Sequence, residues 1–209
     1  MISTSLIAIA AVLVMGVMSP GPSFIYVARN AVVHSRLHGL VTALGTGVGA
    51  ATFSLMAMLG LQQVLNAVPE LFIAMKVFGG VYLIWLAVKI FRTASQPLTL
   101  SVNPNSESKS LCKTFRDGLF TQLSNPKTAI VFASIFTALL PADIPTGYYY
   151  VIPAMSFIID AGWYSFVALL LSAERPRRVY LRIKGQVDRV SATILSFLGF
   201  KLIISSFSK

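Results

Sequence analysis

The chain has 209 residues, enough for one domain, and its composition excludes most classes of soluble protein. Charged residues make up 11% of it and hydrophobic residues 56%, so too few polar side chains remain to cover a water-facing surface. The formal net charge of +10 comes from basic residues in short stretches between apolar runs, which is typical of cytoplasmic loops rather than of nucleic-acid binding. The single cysteine, Cys112, excludes an internal disulfide and a thiol-ligated metal site.

Six apolar runs, each long enough to cross a bilayer as a helix, predict an all-α polytopic membrane protein. Runs this long and continuous differ from the alternating strands of a membrane barrel. The first run lacks a basic start and a small-residue cleavage site, so we predict a mature helix rather than a signal peptide. The runs are roughly Leu6–Ala28, Leu40–Leu61, Val68–Phe91, Leu119–Leu140, Tyr148–Ser172 and Val190–Phe207.

The first and fourth runs are interrupted by proline, at Ser19-Pro20-Gly21-Pro22 and at Asn125-Pro126. Proline breaks a helix, whereas serine and asparagine favour the N-cap, so each serine-proline or asparagine-proline pair predicts the start of a new half-helix. Each start would present N–H groups and the positive end of a helix dipole to an anion. A kink kept only for packing is the other interpretation. We predict that a substrate carboxylate binds at Ser19, Pro20, Gly21, Pro22, Asn125, Pro126 and Lys127.

The second run carries small residues four positions apart, with two more glycines alongside. This spacing lets another helix approach to backbone distance. It predicts tight packing, and a sliding surface for alternating access would use the same residues. The residues are Gly39, Ala43, Gly47, Ala51, Gly45 and Gly49.

The polar stretch from Thr93 to Ser110 predicts a linker between two three-helix halves. We place the first repeat at residues 1–92, a cytoplasmic linker at 93–114 and the second repeat at 115–209. Because three crossings are an odd number, the halves would insert in opposite directions, which is the inverted 3+3 repeat common in secondary transporters. Lys and Arg occupy the first, third and fifth connections and are absent from the second and fourth, so both termini are predicted to lie outside.

Asp160 is the one carboxylate that lies well inside a predicted span. Ionisable groups are costly in lipid and usually face a cavity or a partner, so we predict that Asp160 binds a proton or a cation. The alternative is a structural ion pair with Lys76 or Lys127. Lys127 would otherwise add positive charge to the carboxylate site, or extend to the cytoplasmic interface.

The sequence contains no motif that indicates an enzyme, a cofactor or a metal. It has no glycine-rich phosphate loop, no pair of catalytic carboxylates and no nucleophile with a base. His34 and His38 lie in a basic connection without a third ligand, which is typical of a solvated face. We therefore expect a protein that is not an enzyme and has no cofactor, metal or nucleic-acid partner.

Several motifs, in this order along the chain, resemble the LysE/RhtB family of bacterial amino-acid exporters. The resemblance runs from about residue 15 to the C-terminus and ends with Asp188-Arg189 before the last helix. The motifs are Ser19-Pro20-Gly21-Pro22, the glycines of the second run, Lys76-x-x-Gly79-Gly80-x-Tyr82-Leu83-x-Trp85-Leu86, Phe115-x-x-Gly118 leading to Asn125-Pro126-Lys127, and Asp160-x-Gly162-Trp163-Tyr164.

The resemblance implies a multi-pass carrier of the bacterial inner membrane that exports amino acids or their derivatives in exchange for protons. It is closer to the threonine and homoserine exporters than to the exporters of lysine or arginine. Some members place an acidic residue just after the second-helix glycines, where this chain has Ala50-Ala51-Thr52, which weakens the expectation of a dibasic substrate.

On this interpretation the half-helix starts bind the substrate carboxylate, and Asp160 alternates between a proton and the substrate ammonium. The partners are then an amino acid, protons and the lipid bilayer, and a homo-oligomer is left open. Two other functions also stay open at this point. One is a membrane scaffold or assembly subunit without transport, and the other is export of another small solute or a metal ion.

Overall fold

The structure, a computed structural model, describes residues 2–67, 69–95, 110–141 and 143–207. These residues form eight α-helices joined by turns, which confirms the predicted all-α class. Most of the predicted linker, residues 96–109, lies outside the described residues. The helices are α1 (Ile2–Met18), α2 (Pro22–Val33), α3 (Arg36–Ala67), α4 (Pro69–Thr93), α5 (Leu111–Leu123), α6 (Pro126–Leu139), α7 (Tyr148–Leu171) and α8 (Glu174–Phe207).

The first apolar run is broken as predicted, but the new helix starts later than the sequence suggested. The chain bends by 57° between the axes of α1 and α2. The N-cap of α2 is Gly21, in an extended conformation, and Pro22 occupies its first turn. The prediction that the helix restarts at Ser19-Pro20 is therefore wrong. A residue that precedes proline is disfavoured in the helical region, so Gly21 stays extended and the second proline begins the helix.

The fourth run is broken where the sequence predicted. α5 ends at Leu123, and α6 begins at Pro126 with Asn125 as its N-cap. The side-chain oxygen of Asn125 accepts a hydrogen bond of 3.1 Å from the backbone N–H of Lys127. This satisfies one of the N–H groups that a helix start leaves without a partner.

Two helices are by themselves long and apolar enough to cross a membrane, Arg36–Leu61 within α3 and Tyr148–Leu171, which is α7. The bent pair of α1 and α2 adds a third crossing if it counts as one span. α6 offers only a shorter apolar stretch, Lys127–Thr137. The described residues thus give two or three clear crossings, and the six-crossing inverted repeat stays a prediction.

The last helix is much longer than the predicted span that begins at Val190. α8 has 34 residues, against the roughly 20 that cross the hydrocarbon core. Its one proline, Pro176, lies in the first turn, where a missing N–H interrupts no hydrogen bond. The polar first half therefore continues the helix, because no residue within it breaks the ladder.

Small residues bring the long helices together. α3 packs against α5 and α7, and α4 packs against α8. A methyl group on Gly47 of α3 would lie 2.7 Å from the Cβ of Ala161 on α7. A methyl group on Gly80 of α4 would lie 2.7 Å from the carbonyl oxygen of Gly199 on α8. The tight packing predicted for the second run is confirmed, since larger side chains would force these backbones apart.

Two clusters of buried apolar side chains leave a polar layer between them. Along α1 and α2, Leu13 belongs to the first cluster and Phe24 to the second, with the helix break between them. Along α7, Ile152 belongs to the first cluster and Tyr164 to the second, with Asp160 between them. The fold therefore places the break and the carboxylate at the same level of the bundle.

Candidate functional site

The two helix breaks and the middle of α7 surround a cavity of about 40 Å³. A buried water needs about 10–15 Å³ of such volume, so the cavity has room for a few waters. Four residues predicted from the sequence line it, namely Gly21, Asn125, Lys127 and Asp160.

The other predicted residues contribute less directly. Ser19, Pro20 and Pro22 are not in the cavity wall, although Ser19 is fully buried beside it. Pro126 begins α6, and its side chain lies outside the described residues, as does that of Lys76 in α4. The structure therefore brings the two breaks and Asp160 together and does not test Lys76.

Lys127 joins the two breaks. It extends from the first turn of α6, and its Nζ donates a hydrogen bond of 2.6 Å to the carbonyl oxygen of Ser19. A methyl group on Gly21 would lie 3.3 Å from the Cδ of Lys127, so the glycine leaves room for the lysine to pass. This carbonyl is one that the break in the helix frees, and the ammonium compensates for its lost partner.

Asp160 is 6% exposed, and its two carboxyl oxygens differ. Oδ2 accepts a hydrogen bond of 2.8 Å from Nε2 of Gln122, whereas Oδ1 has no hydrogen-bond partner among the described residues. Among the residues that the structure describes, no direct ion pair forms between Lys127 and Asp160, and the lysine donates to the carbonyl oxygen of Ser19. Lys127 still acts on Asp160 through space as the nearby positive charge.

Sequence reasoning missed two neutral residues that complete the site. Gln122, near the end of α5, is 2% exposed, and Ser23, in the first turn of α2, is fully buried. The hydroxyl of Ser23 donates to Oε1 of Gln122 and accepts a hydrogen bond of 3.0 Å from Nδ2 of Asn125. A signal was available, since a glutamine inside an apolar run must find partners or bear a large burial cost.

α7 presents a polar face to the cavity. Ser156, Asp160 and Tyr164 follow one another at intervals of four residues, lie on the same side of the helix and line the cavity. The hydroxyl of Ser156 is buried and has no hydrogen-bond partner in the part of the chain that the structure describes. The site therefore offers two polar atoms without partners, Oγ of Ser156 and Oδ1 of Asp160, one turn apart.

The two sides of the cavity are closed differently. Towards α1 and α6 the wall is apolar, with Leu13, Val131 and Phe132. Along α2 and α5, on the side that the charge pattern predicts to be cytoplasmic, the hydroxyl of Tyr26 donates to Oδ2 of Asp117 at 3.1 Å. This hydrogen bond joins α2 to α5 on that side of the cavity.

The histidines lie apart from this site. Their rings are 5.3 Å apart, and Nδ1 of His38 is 2.8 Å from the hydroxyl of Ser35. Within the part of the chain that the structure describes, no three His, Cys, Asp or Glu residues are grouped as metal ligands would be.

Comparison with known proteins gives a consistent result. A family model described as LysE type translocator matches residues 14–206. The threonine efflux protein of Escherichia coli (strain K12) is 31% identical over 198 residues, which are 94% of this chain and 96% of that protein. The threonine efflux protein of Salmonella typhi is 30% identical over the same shares. An uncharacterized membrane protein of Escherichia coli, YahN, is 31% identical over 88% of this chain and 82% of its own length. No solved structure matches the chain.

Proposed function

The chain belongs to the LysE family of translocators, which are transporters rather than enzymes, and from this membership we propose that it exports a small zwitterionic amino acid by exchange with protons. Threonine and homoserine are the substrates we favour, because the relatives reported above include threonine efflux proteins. We place the protein in the bacterial inner membrane as a multi-pass carrier.

The observation that carries this proposal is the pairing of opposite charges around one cavity. Lys127 and the start of α6 lie on one side, and Asp160, with an oxygen that has no partner, lies on the other. A free amino acid carries a carboxylate and an ammonium on the same carbon, so it needs both kinds of group within a few ångströms. A substrate with a second positive charge would bring that charge close to Lys127 or to an apolar wall.

Each end of the substrate has a defined partner in this proposal. The carboxylate binds at the helix starts, where Asn125, Gly21 and Lys127 line the cavity and the α6 dipole favours an anion. The ammonium binds to Oδ1 of Asp160 and to the hydroxyl of Ser156. A proton occupies Asp160 when the ammonium is absent, so proton and substrate cross the membrane in opposite directions.

Transport then requires the cavity to open to each side of the membrane in turn, so that the substrate can enter from one side and leave on the other. We propose that α2 separates from α5 to admit substrate from the cytoplasm.

The matching order of the two halves supports an inverted repeat, since α1–α2 corresponds to α5–α6, α3 to α7, and α4 to α8. Reporter fusions at Asn105 and Lys184 should be cytoplasmic, and fusions at Asn66 and Asp143 should be external.

Counterflow tests the proposed transport directly. Proteoliposomes that contain the purified protein are loaded with unlabelled threonine and diluted into labelled threonine at several pH values. We expect transient accumulation of label that responds to an imposed pH gradient. Protein-free liposomes and vesicles loaded with lysine serve as controls. If no small neutral amino acid gives counterflow, the proposal is wrong and the scaffold function is favoured.

A further inference from the structure

A series of three hydrogen bonds runs from the second helix break through α2 and α5 to α7. Nδ2 of Asn125 donates to Oγ of Ser23 at 3.0 Å, and this hydroxyl donates to Oε1 of Gln122. Nε2 of Gln122 then donates to Oδ2 of Asp160 at 2.8 Å. Asn125, Ser23, Gln122 and Asp160 are all at most 6% exposed, so bulk solvent has little access to these bonds.

The three hydrogen bonds all point the same way, with each donor on the Asn125 side and each acceptor on the Asp160 side. A serine hydroxyl has a single hydrogen, and because Ser23 accepts from Asn125, that hydrogen is available to Gln122. A glutamine whose oxygen accepts a bond must present its NH₂ group on the other side, which here faces Asp160. Ser23 therefore fixes the orientation of an amide whose far end it does not touch.

We propose that Ser23 and Gln122 are positioning residues that keep Oδ2 of Asp160 occupied as an acceptor and leave Oδ1 as the atom that binds proton or substrate ammonium. This inference rests on the proposed function for the identity of the cargo. If the amide were reversed, a protonated Asp160 could donate to its oxygen, and the proton would be held away from the cavity. The Ser23 hydroxyl opposes this reversal, because its hydrogen would then lose the acceptor oxygen of Gln122.

The same bonds link Asp160 to the contact between α2 and α5. Ser23 belongs to α2 and Gln122 to α5, and the bond between them joins residues 99 positions apart in the chain. If α2 moves away from α5, this bond breaks, and Gln122 is free to turn. The affinity of Asp160 for a proton then depends on whether the cytoplasmic side is closed, which couples the carboxyl to the gate without direct contact.

Other groups around Asp160 do not replace this control. Lys127 on α6 supplies the nearby positive charge in both orientations of the amide. Thr46 on α3 faces the carboxyl, but its hydroxyl donates to the carbonyl oxygen of Ala43 at 2.9 Å. Tyr164, on the polar face of α7, is the neighbouring titratable side chain of the cavity wall. Gln122 donates directly to the Asp160 carboxyl, and Ser23 in turn donates to Gln122.

Infrared spectroscopy of the purified protein in lipid measures this effect without requiring transport. The carboxyl C=O band that disappears in Asp160→Asn identifies protonated Asp160, and its intensity is followed against pH. Ser23→Ala should move the titration midpoint upwards by about 1 pH unit, because the donor to the carboxylate is no longer held in place. Ser23→Thr keeps the hydroxyl and should restore the midpoint. Gln122→Met removes the donor at similar volume and should give a shift at least as large.

Ser134→Ala is the matched control, because Ser134 is 1% exposed and its hydroxyl bonds to none of the residues that the structure describes. Its midpoint should equal that of the unmodified protein. Equal midpoints in Ser23→Ala, Gln122→Met and Ser134→Ala would overturn the inference, as would the absence of any titrating Asp160 band. A shifted midpoint in a protein without amino-acid counterflow supports the inference and contradicts only the proposed export. Amino-acid counterflow with an unshifted midpoint supports the proposed export and contradicts the inference about Ser23 and Gln122.

Discussion

The two helix breaks resemble each other in sequence but are held in different ways. At the second break the side chain of Asn125 caps α6 and accepts from the N–H two residues later. At the first break the N-cap is Gly21, which has no side chain for this purpose, and the hydroxyl of Ser19 has no partner within the described ranges of the chain. The second break is therefore stabilised locally, and the first is not.

The first break depends on groups from the other half of the chain. Lys127 donates to the carbonyl oxygen of Ser19, a residue 108 positions away, and Asn125 and Gln122 bond to Ser23. Contacts supplied by another helix are lost when that helix moves, whereas a local cap moves with its own helix. We therefore expect α2 to change position during transport and α6 to keep its shape.

The largest expected effect concerns the carboxyl that both breaks face. Asp160→Asn keeps the shape of the side chain but cannot titrate, so it should abolish uphill export on a pH gradient. Any remaining exchange should lose its pH dependence between about pH 5 and 8, the range in which a desolvated carboxyl would exchange protons. Transport in proteoliposomes measures both properties. Asp143→Asn, in an exposed loop, is the control. Uphill export by Asp160→Asn would show that another group carries the proton.

Removing the hydrogen bond that links the two breaks should have the next largest effect on transport. Lys127→Met removes a charged donor to the Ser19 carbonyl and a positive charge from the cavity. A hydrogen bond from a charged group contributes about 1.5–3 kcal/mol, so exchange should slow by roughly 10-fold to 100-fold. Lys113→Met changes an exposed lysine of α5 and should leave the rate unchanged. Comparable rates for the two variants would contradict a binding role for Lys127.

The difference in capping predicts a difference in stability. Asn125→Ala removes the cap of α6 and should cost about 1–2 kcal/mol, which lowers the melting temperature in detergent. Ser19→Ala removes a hydroxyl without a partner and should change stability by less than about 0.5 kcal/mol. Thermal unfolding of the two variants side by side measures the contrast. Equal shifts would mean that the two breaks are stabilised in the same way.

The smallest effect is expected from removing the hydrogen bond between α2 and α5. Tyr26→Phe removes the hydrogen bond to Asp117 and should favour separation of α2 from α5 by about 1 kcal/mol, or roughly fivefold. Alkylation of a cysteine placed at Ser156, with Cys112 replaced by serine, reports access to the cavity. In inside-out vesicles, the cysteine should react a few-fold faster when Tyr26 is replaced by phenylalanine than when Tyr26 is kept. Tyr150→Phe, which is 75% exposed, is the control. An unchanged rate would indicate that this contact does not hold the gate.

The helix order and the position of the site follow from local features of the sequence. Serine, glycine and asparagine favour the N-cap and proline the first turn of a helix, so the breaks at residues 19–22 and 125–126 could be predicted without knowledge of their neighbours in space. Asp160 could be predicted because a carboxylate in an apolar run must face a cavity or a partner. The structure places both features around one cavity. The number of crossings could not be settled in this way, because the length of a helix does not tell whether all of it lies in lipid.

The partners within the site were decided by the tertiary structure. Sequence spacing offered Lys127 as an ion-pair partner of Asp160, but the fold places the carbonyl of Ser19 within 2.6 Å of its ammonium. Ser23 and Gln122 are uncharged and lie on different helices, so no pattern along the chain connects them. The effect of a charge or a proline on its own helix can be predicted from the sequence around it. The donor and acceptor of a hydrogen bond between distant residues are decided only when the fold brings their atoms together.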